Sequence, residues 1–235
     1  MEERVSRKFG LTNNQLKIIA MISMLLDHVG LMLFPECAFL RILGRVAFPI
    51  FAYMIAEGCL YTRNRVKYLL LIAILAAGCQ LVYWFAMGSL YQSILVAFTL
   101  AIITIYAIDL FLKKKNGWTC ALAVLVVASV VFAAVIAPEL FKHVGFEIDY
   151  GIFGILLPVA AYYAPKRVWK LLAAAAVLVA MSAYYGGLIW YSLTALPFLC
   201  LYNGQRGKYR LKYLFYIFYP THLAVIYLIA TWLAS

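Results

Sequence analysis

Arg41 and Arg45 stand one helical turn apart inside an apolar stretch, residues 39–61, long enough to cross a bilayer and also holding Glu57. The apolar stretch before it carries Asp27 and His28. An ionisable side chain inside a transmembrane helix costs about 2.5–3.5 kcal/mol on insertion scales. Such residues persist where they face a partner, a ligand or a water-filled cavity. Five of them in the first two spans therefore specify a polar site within the membrane.

The rest of the chain supports that reading. Hydrophobic residues make up 67% and charged residues 12%, where a soluble domain carries about 25% charged residues. No segment is polar enough to be a soluble domain, so residues 1–235 read as one integral membrane unit, an all-α polytopic protein. Apolar runs of roughly 17–24 residues mark about nine transmembrane helices: 14–34, 39–61, 68–87, 91–112, 118–136, 149–164, 168–185, 187–202 and 213–233. The tight turn at Tyr184–Gly187 makes the seventh and eighth a short hairpin, or one of them re-entrant. Pro158 and Pro197 lie inside spans six and eight, where a kink is tolerated if neighbours satisfy the released carbonyls. No small-residue cleavage site follows the first span, which is therefore expected to be retained.

The net charge of +11 is a topology signal. Seventeen of the twenty Lys and Arg residues fall in segments on one side of the map: Arg4 to Lys17, Arg63 to Lys67, Lys113 to Lys115, Lys166 to Lys170 and Arg206 to Lys212. The other side has Lys142 alone, with Glu36, Glu139, Glu147 and Asp149. Basic loops stay inside, which places the N-terminus in the cytoplasm and the C-terminus outside, and gives no reason to expect a nucleic-acid partner. The five cysteines lie singly, so neither a disulfide framework nor a metal cluster is expected.

Lys17 and His28 are eleven residues apart, three turns of helix, and so point to nearly the same side with a rise of about 16.5 Å between them. A ligand with an anionic head and a long thin arm reaches both, and coenzyme A has that shape. Taken alone, Lys17 is an ordinary snorkelling lysine and His28 a structural polar group bonded to a neighbouring helix. Asp27 is rotated from His28 by about 100°. It either orients the imidazole or pairs with Arg41 or Arg45 across the short Pro35–Ala38 loop, and pairing with Arg45 is the better expectation. Pro49 removes the helix hydrogen bond that the Arg45 carbonyl would accept. Glu57 falls near Arg63, Asn64 and Arg65, as a structural or mouth-lining partner rather than a catalytic acid. His222 lies near the middle of the last span, beside Pro220, and a midplane histidine is a functional candidate by default. His143 sits in a solvated loop.

The segments Leu16-Lys17-Ile18-Ile19-Ala20-Met21 to Leu26-Asp27-His28-Val29-Gly30 and Gly44-Arg45-Val46-Ala47-Phe48-Pro49 to Glu57-Gly58 resemble the TraX family. So do Asp149-Tyr150-Gly151 with Gly154, and Tyr202-Asn203-Gly204 ahead of Phe218-Tyr219-Pro220-Thr221-His222. That family is similar in turn to the membrane acyltransferase type 3 family, where a basic residue, ten intervening residues and a histidine mark the first helix. Lys17 and His28 fill the spacing, with lysine in place of the usual arginine, and lysine also binds phosphate. The founding TraX member acetylates the N-terminus of pilin subunits.

The resemblance implies acetyl-CoA as co-substrate from the cytoplasmic side of a bacterial cell membrane. The acetyl group would go to an acceptor at or beyond the membrane: a peptide N-terminus, a glycan or a small molecule. The candidate catalytic residues are then His28 as general base, Asp27, Arg45 and His222, with Arg41 or Arg45 stabilising the oxyanion. The candidate cofactor-binding residues are Lys17, Arg41, Arg63, Arg65 and Glu57, and no metal is called for. The contrasting reading is a proton-coupled transporter or exporter with Asp27, His28, Glu57 and His222 as a relay. The odd span count and lack of a visible inverted repeat count against it.

Overall fold

The computed structural model of the chain describes residues 9–208 and 211–234, and only the backbone of residues 86, 87, 212, 213, 215, 216 and 234. Arg4, Arg7, Lys8 and Arg210, four of the residues behind the charge asymmetry, lie outside the described residues. Among the described residues every regular element is a helix, and only two isolated β-bridges occur, Leu11 with Tyr202 and Gln92 with Ile148. Among the described residues, six helical segments are long and apolar enough to cross a membrane: Asn13–Met32, Ala38–Tyr61, Arg65–Phe85, Ile94–Lys114, Gly117–Leu140 and Arg167–Tyr185. Gly151–Tyr163 and Gly187–Leu201 are shorter apolar helices, and Ile217–Leu233 is an apolar stretch of a longer last helix. The protein is a multi-pass membrane protein whose outward apolar residues, such as Leu70, Ile74, Val124 and Leu125, have lipid as their solvent.

Packing divides the chain into two compact units, Met1–Met54 with Lys166–Ser235, and Ile55–Pro165. The first unit begins with α1 (Asn13–Met32), started by a capping box in which the Thr12 amide donates to Gln15 Oε1 at 2.8 Å and the Gln15 amide to the Thr12 hydroxyl at 3.4 Å. The stretch expected as one continuous span, 39–61, is two helices, α2 (Ala38–Gly44) and α3 (Ala47–Tyr61), meeting at Arg45 and Val46. Pro49, in the first turn of α3, supplies no N–H to the Arg45 carbonyl, so the ladder stops where the arginine stands. α1 packs against α2 and against the last helix, α11 (Lys212–Ala234).

After α9 (Arg167–Tyr185) the chain turns at Gly186 and Gly187 into nine residues of 3₁₀ helix, Gly187–Ala195, followed by α10 (Leu196–Leu201). A 3₁₀ helix rises about 2.0 Å per residue against about 1.5 Å for an α-helix. The segment thus reaches about 27 Å, close to the roughly 30 Å of bilayer hydrocarbon, with few residues. It packs back on α9, giving the expected hairpin, and it also touches α2.

The second unit is built around α5 (Ile94–Lys114), whose Ala97, Phe98, Ala101, Ile102 and Ile105 are buried. α4 (Arg65–Met87), α6 (Gly117–Val131) and α8 (Gly151–Tyr163) pack on it. α4 and α6 start at Asn64 and Asn116, whose side chains accept from the amides of Lys67 and Thr119. α6 runs through a π-turn, Phe132–Ile136, into α7 (Ala137–Leu140), which carries Pro138.

Candidate functional site

The polar site inside the first unit is assembled where α1, the α2–α3 break and α11 meet. Because the break leaves carbonyls at the end of α2 without helical donors, another group must serve them. Ser23, one turn before Asp27 on α1, does so: its hydroxyl donates to the Leu43 carbonyl and, at 3.2 Å, to that of Gly44. Gly44 then permits the two helices to touch at Asp27. A Cβ there would lie 2.3 Å from Asp27 Cβ and 2.4 Å from its Oδ1, so no larger residue fits without moving α2 away.

This contact brings the carboxylate to the guanidinium. Arg45 Nη2 donates to Asp27 Oδ1 at 2.5 Å, and Arg41 Nε stands 3.6 Å from the same oxygen. Arg45 also donates from Nε to the Arg41 carbonyl at 3.4 Å. Asp27 is thus matched to Arg45, the expected choice over His28. Arg41 is committed less fully: its Nη1 is buried without a hydrogen-bond partner among the described residues.

α11 supplies the second histidine. His222 is 6% exposed, stacked on Phe218 at 4.8 Å between ring centroids and met edge-on by Tyr219 at 5.6 Å. Its Nδ1 lies 2.8 Å from the Phe218 carbonyl, which only accepts, so Nδ1 carries the hydrogen. The neutral ring then has a lone pair on Nε2, and that atom lies 3.1 Å from His28 Nδ1. His28 must donate there. Among the described residues, the lone pair of the neutral couple that this bond leaves unengaged is on His28 Nε2. Both Arg41 and Arg45 lie within electrostatic reach of this ring.

Lys17 lies on α1 toward its N-terminal end, on the side of His28. The other residues singled out from the sequence fall in the second unit. Arg65 is bound up there: its Nη2 pairs with Asp109 Oδ2 at 2.6 Å and donates to the Tyr162 hydroxyl at 3.3 Å, while its guanidinium carbon lies 5.0 Å from the Tyr106 ring centre. Tyr162 and Tyr163 donate to the two Asp109 oxygens at 2.6 and 3.1 Å. Arg63 is exposed and Glu57 buried. Asp109 was not among the expected site residues, although a carboxylate within an apolar span is itself a signal. Ser23 and Gly44 carry no such mark, since their roles exist only once α1 and α2 are packed.

The TraX protein family matches residues 12–230. The chain belongs to the TraX family. It is 30% identical to the "Probable fimbrial assembly protein FimC, serogroup H1" of Dichelobacter nodosus, over 94% of this chain and 97% of that one. A shorter match, 50% identical over 44 residues and 18% of each chain, joins it to an uncharacterized protein of Rickettsia prowazekii (strain Madrid E). No solved structure matches this TraX chain.

Proposed function

We propose that this TraX protein is a membrane-embedded acyltransferase that moves acetyl from cytoplasmic acetyl-CoA to an amine or hydroxyl acceptor at or beyond the membrane. The observation that supports this reading is the coupled histidine pair, which leaves a lone pair on His28 Nε2 in a ring within electrostatic reach of Arg41, whose buried Nη1 has no hydrogen-bond partner among the described residues. Acyl transfer needs these two things: a base for the acceptor's proton and a donor for the carbonyl oxygen. A thioester carbonyl fits the orphaned Arg41 Nη1. In the reaction, His28 Nε2 takes the proton as the acceptor nitrogen or oxygen bonds to the carbonyl carbon. Arg41 holds the oxyanion, the C–S bond then breaks, and the thiolate leaves with the proton from His28. His222, with its Nδ1–H on the Phe218 carbonyl, holds His28 in the required tautomer. Asp27 and Arg45 fix the arginine cluster rather than handle protons, which disfavours a relay through Asp27 as a transporter would need. The name of the Dichelobacter relative makes a fimbrial subunit one peptide acceptor to try.

The test is thiol release from acetyl-CoA by the purified protein, with and without peptide acceptors. Wild type is expected to liberate CoA and His28→Ala is not. A folded wild-type protein that binds acetyl-CoA yet never cleaves it with any amine or hydroxyl acceptor would sink the assignment.

A further inference from the structure

Tyr202-Asn203-Gly204 is not part of the histidine site, yet the loop it opens is closely built onto the start of α1. The Leu11 amide donates to the Leu201 carbonyl at 2.8 Å and the Asn203 amide to that of Leu11 at 2.9 Å. The amides of Asn13 and Asn14 donate to the carbonyls of Gln205 and Arg206 at 2.8 and 3.2 Å. Asn203, 4% exposed, ties both ends, donating from Nδ2 to the Gly10 carbonyl at 3.2 Å and accepting from the Gln205 amide at 2.9 Å. Gly207, at φ +95°, lies so near Asn14 that a Cβ would meet that side chain at 3.1 Å.

The first amides of α1 are consumed by this loop and by Thr12, so the helix terminus is not itself an anion site. What the loop delivers is Arg206. Its backbone is fixed on Asn14 and its side chain is exposed, while Lys17, one turn on from Asn14, is within its electrostatic reach. Two cations brought together by a tied loop repel one another, and an anion placed between them turns that repulsion into attraction. From Lys17 the same side of α1 leads, over about 16.5 Å of rise, to His28.

We propose that the Asn203–Gly207 loop is a phosphate-binding subsite in which Arg206, with Lys17, holds the phosphates of a nucleotide-bearing thioester whose acyl end lies at His28. The proposal rests on the acyl-transfer reading above. It moves the phosphate contacts from Arg65, which Asp109 occupies, to the loop. A phospholipid headgroup offers the same chemistry at a membrane surface, and the experiment separates the two sources.

Full-length protein in nanodiscs of phosphatidylcholine is titrated with CoA, with inorganic pyrophosphate and with S-acetylpantetheine, which has no phosphate. Arg206→Ala is expected to weaken CoA and pyrophosphate roughly 10- to 100-fold, the worth of a hydrogen bond to a charged group. It leaves KM for S-acetylpantetheine unchanged, and Arg206→Lys recovers most of the loss. Because Arg206 is exposed and its structural bond is made by its backbone, the variant keeps the fold. Unchanged CoA affinity in Arg206→Ala overturns the proposal. So does a variant whose only defect, with phosphatidylglycerol added to the nanodiscs, is weaker retention of that lipid, which makes the loop a headgroup site. Pyrophosphate binding that depends on Arg206, in a protein that cleaves no thioester, upholds the phosphate site while the acyl-transfer reading fails.

Discussion

His222 Nε2 lies 3.1 Å from His28 Nδ1, joining two residues 194 positions apart in the chain. With the Phe218 carbonyl fixing the hydrogen on His222 Nδ1, the direction of this bond is set, and His28 Nε2 is left to accept a proton. Nitrogen chemical shifts of labelled histidines are expected to show Nδ1 protonated and Nε2 bare in both rings at neutral pH. A protonated His28 Nε2 would contradict the assignment.

The two histidines are expected to fail differently. With His28 as the proposed base, His28→Ala is expected to lower turnover by roughly 10²–10⁴. His222→Ala leaves the base in place but without the ring that fixes its tautomer and orientation, so its loss in kcat is smaller, with KM for acetyl-CoA little changed. Steady-state kinetics on both variants checks this. Equal activity of His28→Ala and wild type, together with a dead His222→Ala, would exchange the two roles.

Arg41 and Arg45 share Asp27, and their substitutions are expected to separate stability from catalysis. Arg45 makes the short contact and is 7% exposed, so Arg45→Ala leaves a largely buried carboxylate to the longer Arg41 contact at 3.6 Å. Breaking a buried pair from one side costs about 3–5 kcal/mol, and the variant should show a marked drop in Tm. Arg41 stands farther off and has an uncommitted Nη1. Losing one oxyanion donor costs about 10²–10³ in kcat, so Arg41→Ala is expected to fold near wild type and turn over poorly. Arg41→Lys keeps the charge without the planar fork, and little loss of activity in it would reduce the role to charge alone.

Gly44→Ala probes the helix contact beneath that cluster. Its Cβ would overlap Asp27, and forcing one extra carbon into a packed site costs about 1–3 kcal/mol. Thermal unfolding in detergent is expected to show the loss, accompanied by reduced activity because Asp27 and the arginines move apart. A variant as stable and active as wild type would mean that α1 and α2 are looser than their contact at Gly44 indicates.

What could be read from the sequence follows from cost. Asp27, His28, Arg45 and His222 announce themselves because an ionisable group in an apolar run is expensive, and the choice of Arg45 for Asp27 followed from a loop too short to let the helices diverge. Ser23 and Gly44 are silent, since a serine or glycine in an apolar helix is cheap and gains its role only from a neighbour's carbonyls or Cβ. The bond between His28 and His222 depends on α11 packing against α1, which no local spacing encodes. Arg65 illustrates the opposite case. Its position at a basic end suggested phosphate, and the spacing gave no sign that Asp109, a carboxylate one turn before Lys113 in the sequence, pairs with it.

That Arg65–Asp109 contact gives the last prediction. Asp109 receives Arg65, Tyr162 and Tyr163, so α4 and α8 converge on one carboxylate of α5. Arg65 is half exposed, its side chain at 48%, so the ion pair itself contributes little. The phenol bonds to a charged acceptor contribute more, about 1.5–3 kcal/mol each. Asp109→Asn keeps the shape but weakens all three contacts, and is expected to lower Tm by several degrees while KM for acetyl-CoA stays at the wild-type value. Arg65→Ala should lower Tm less, because both tyrosines keep their acceptor. If Arg65→Ala instead raised that KM tenfold with Tm unchanged, Arg65 would be a ligand contact and the role assigned to Asp109 would be wrong.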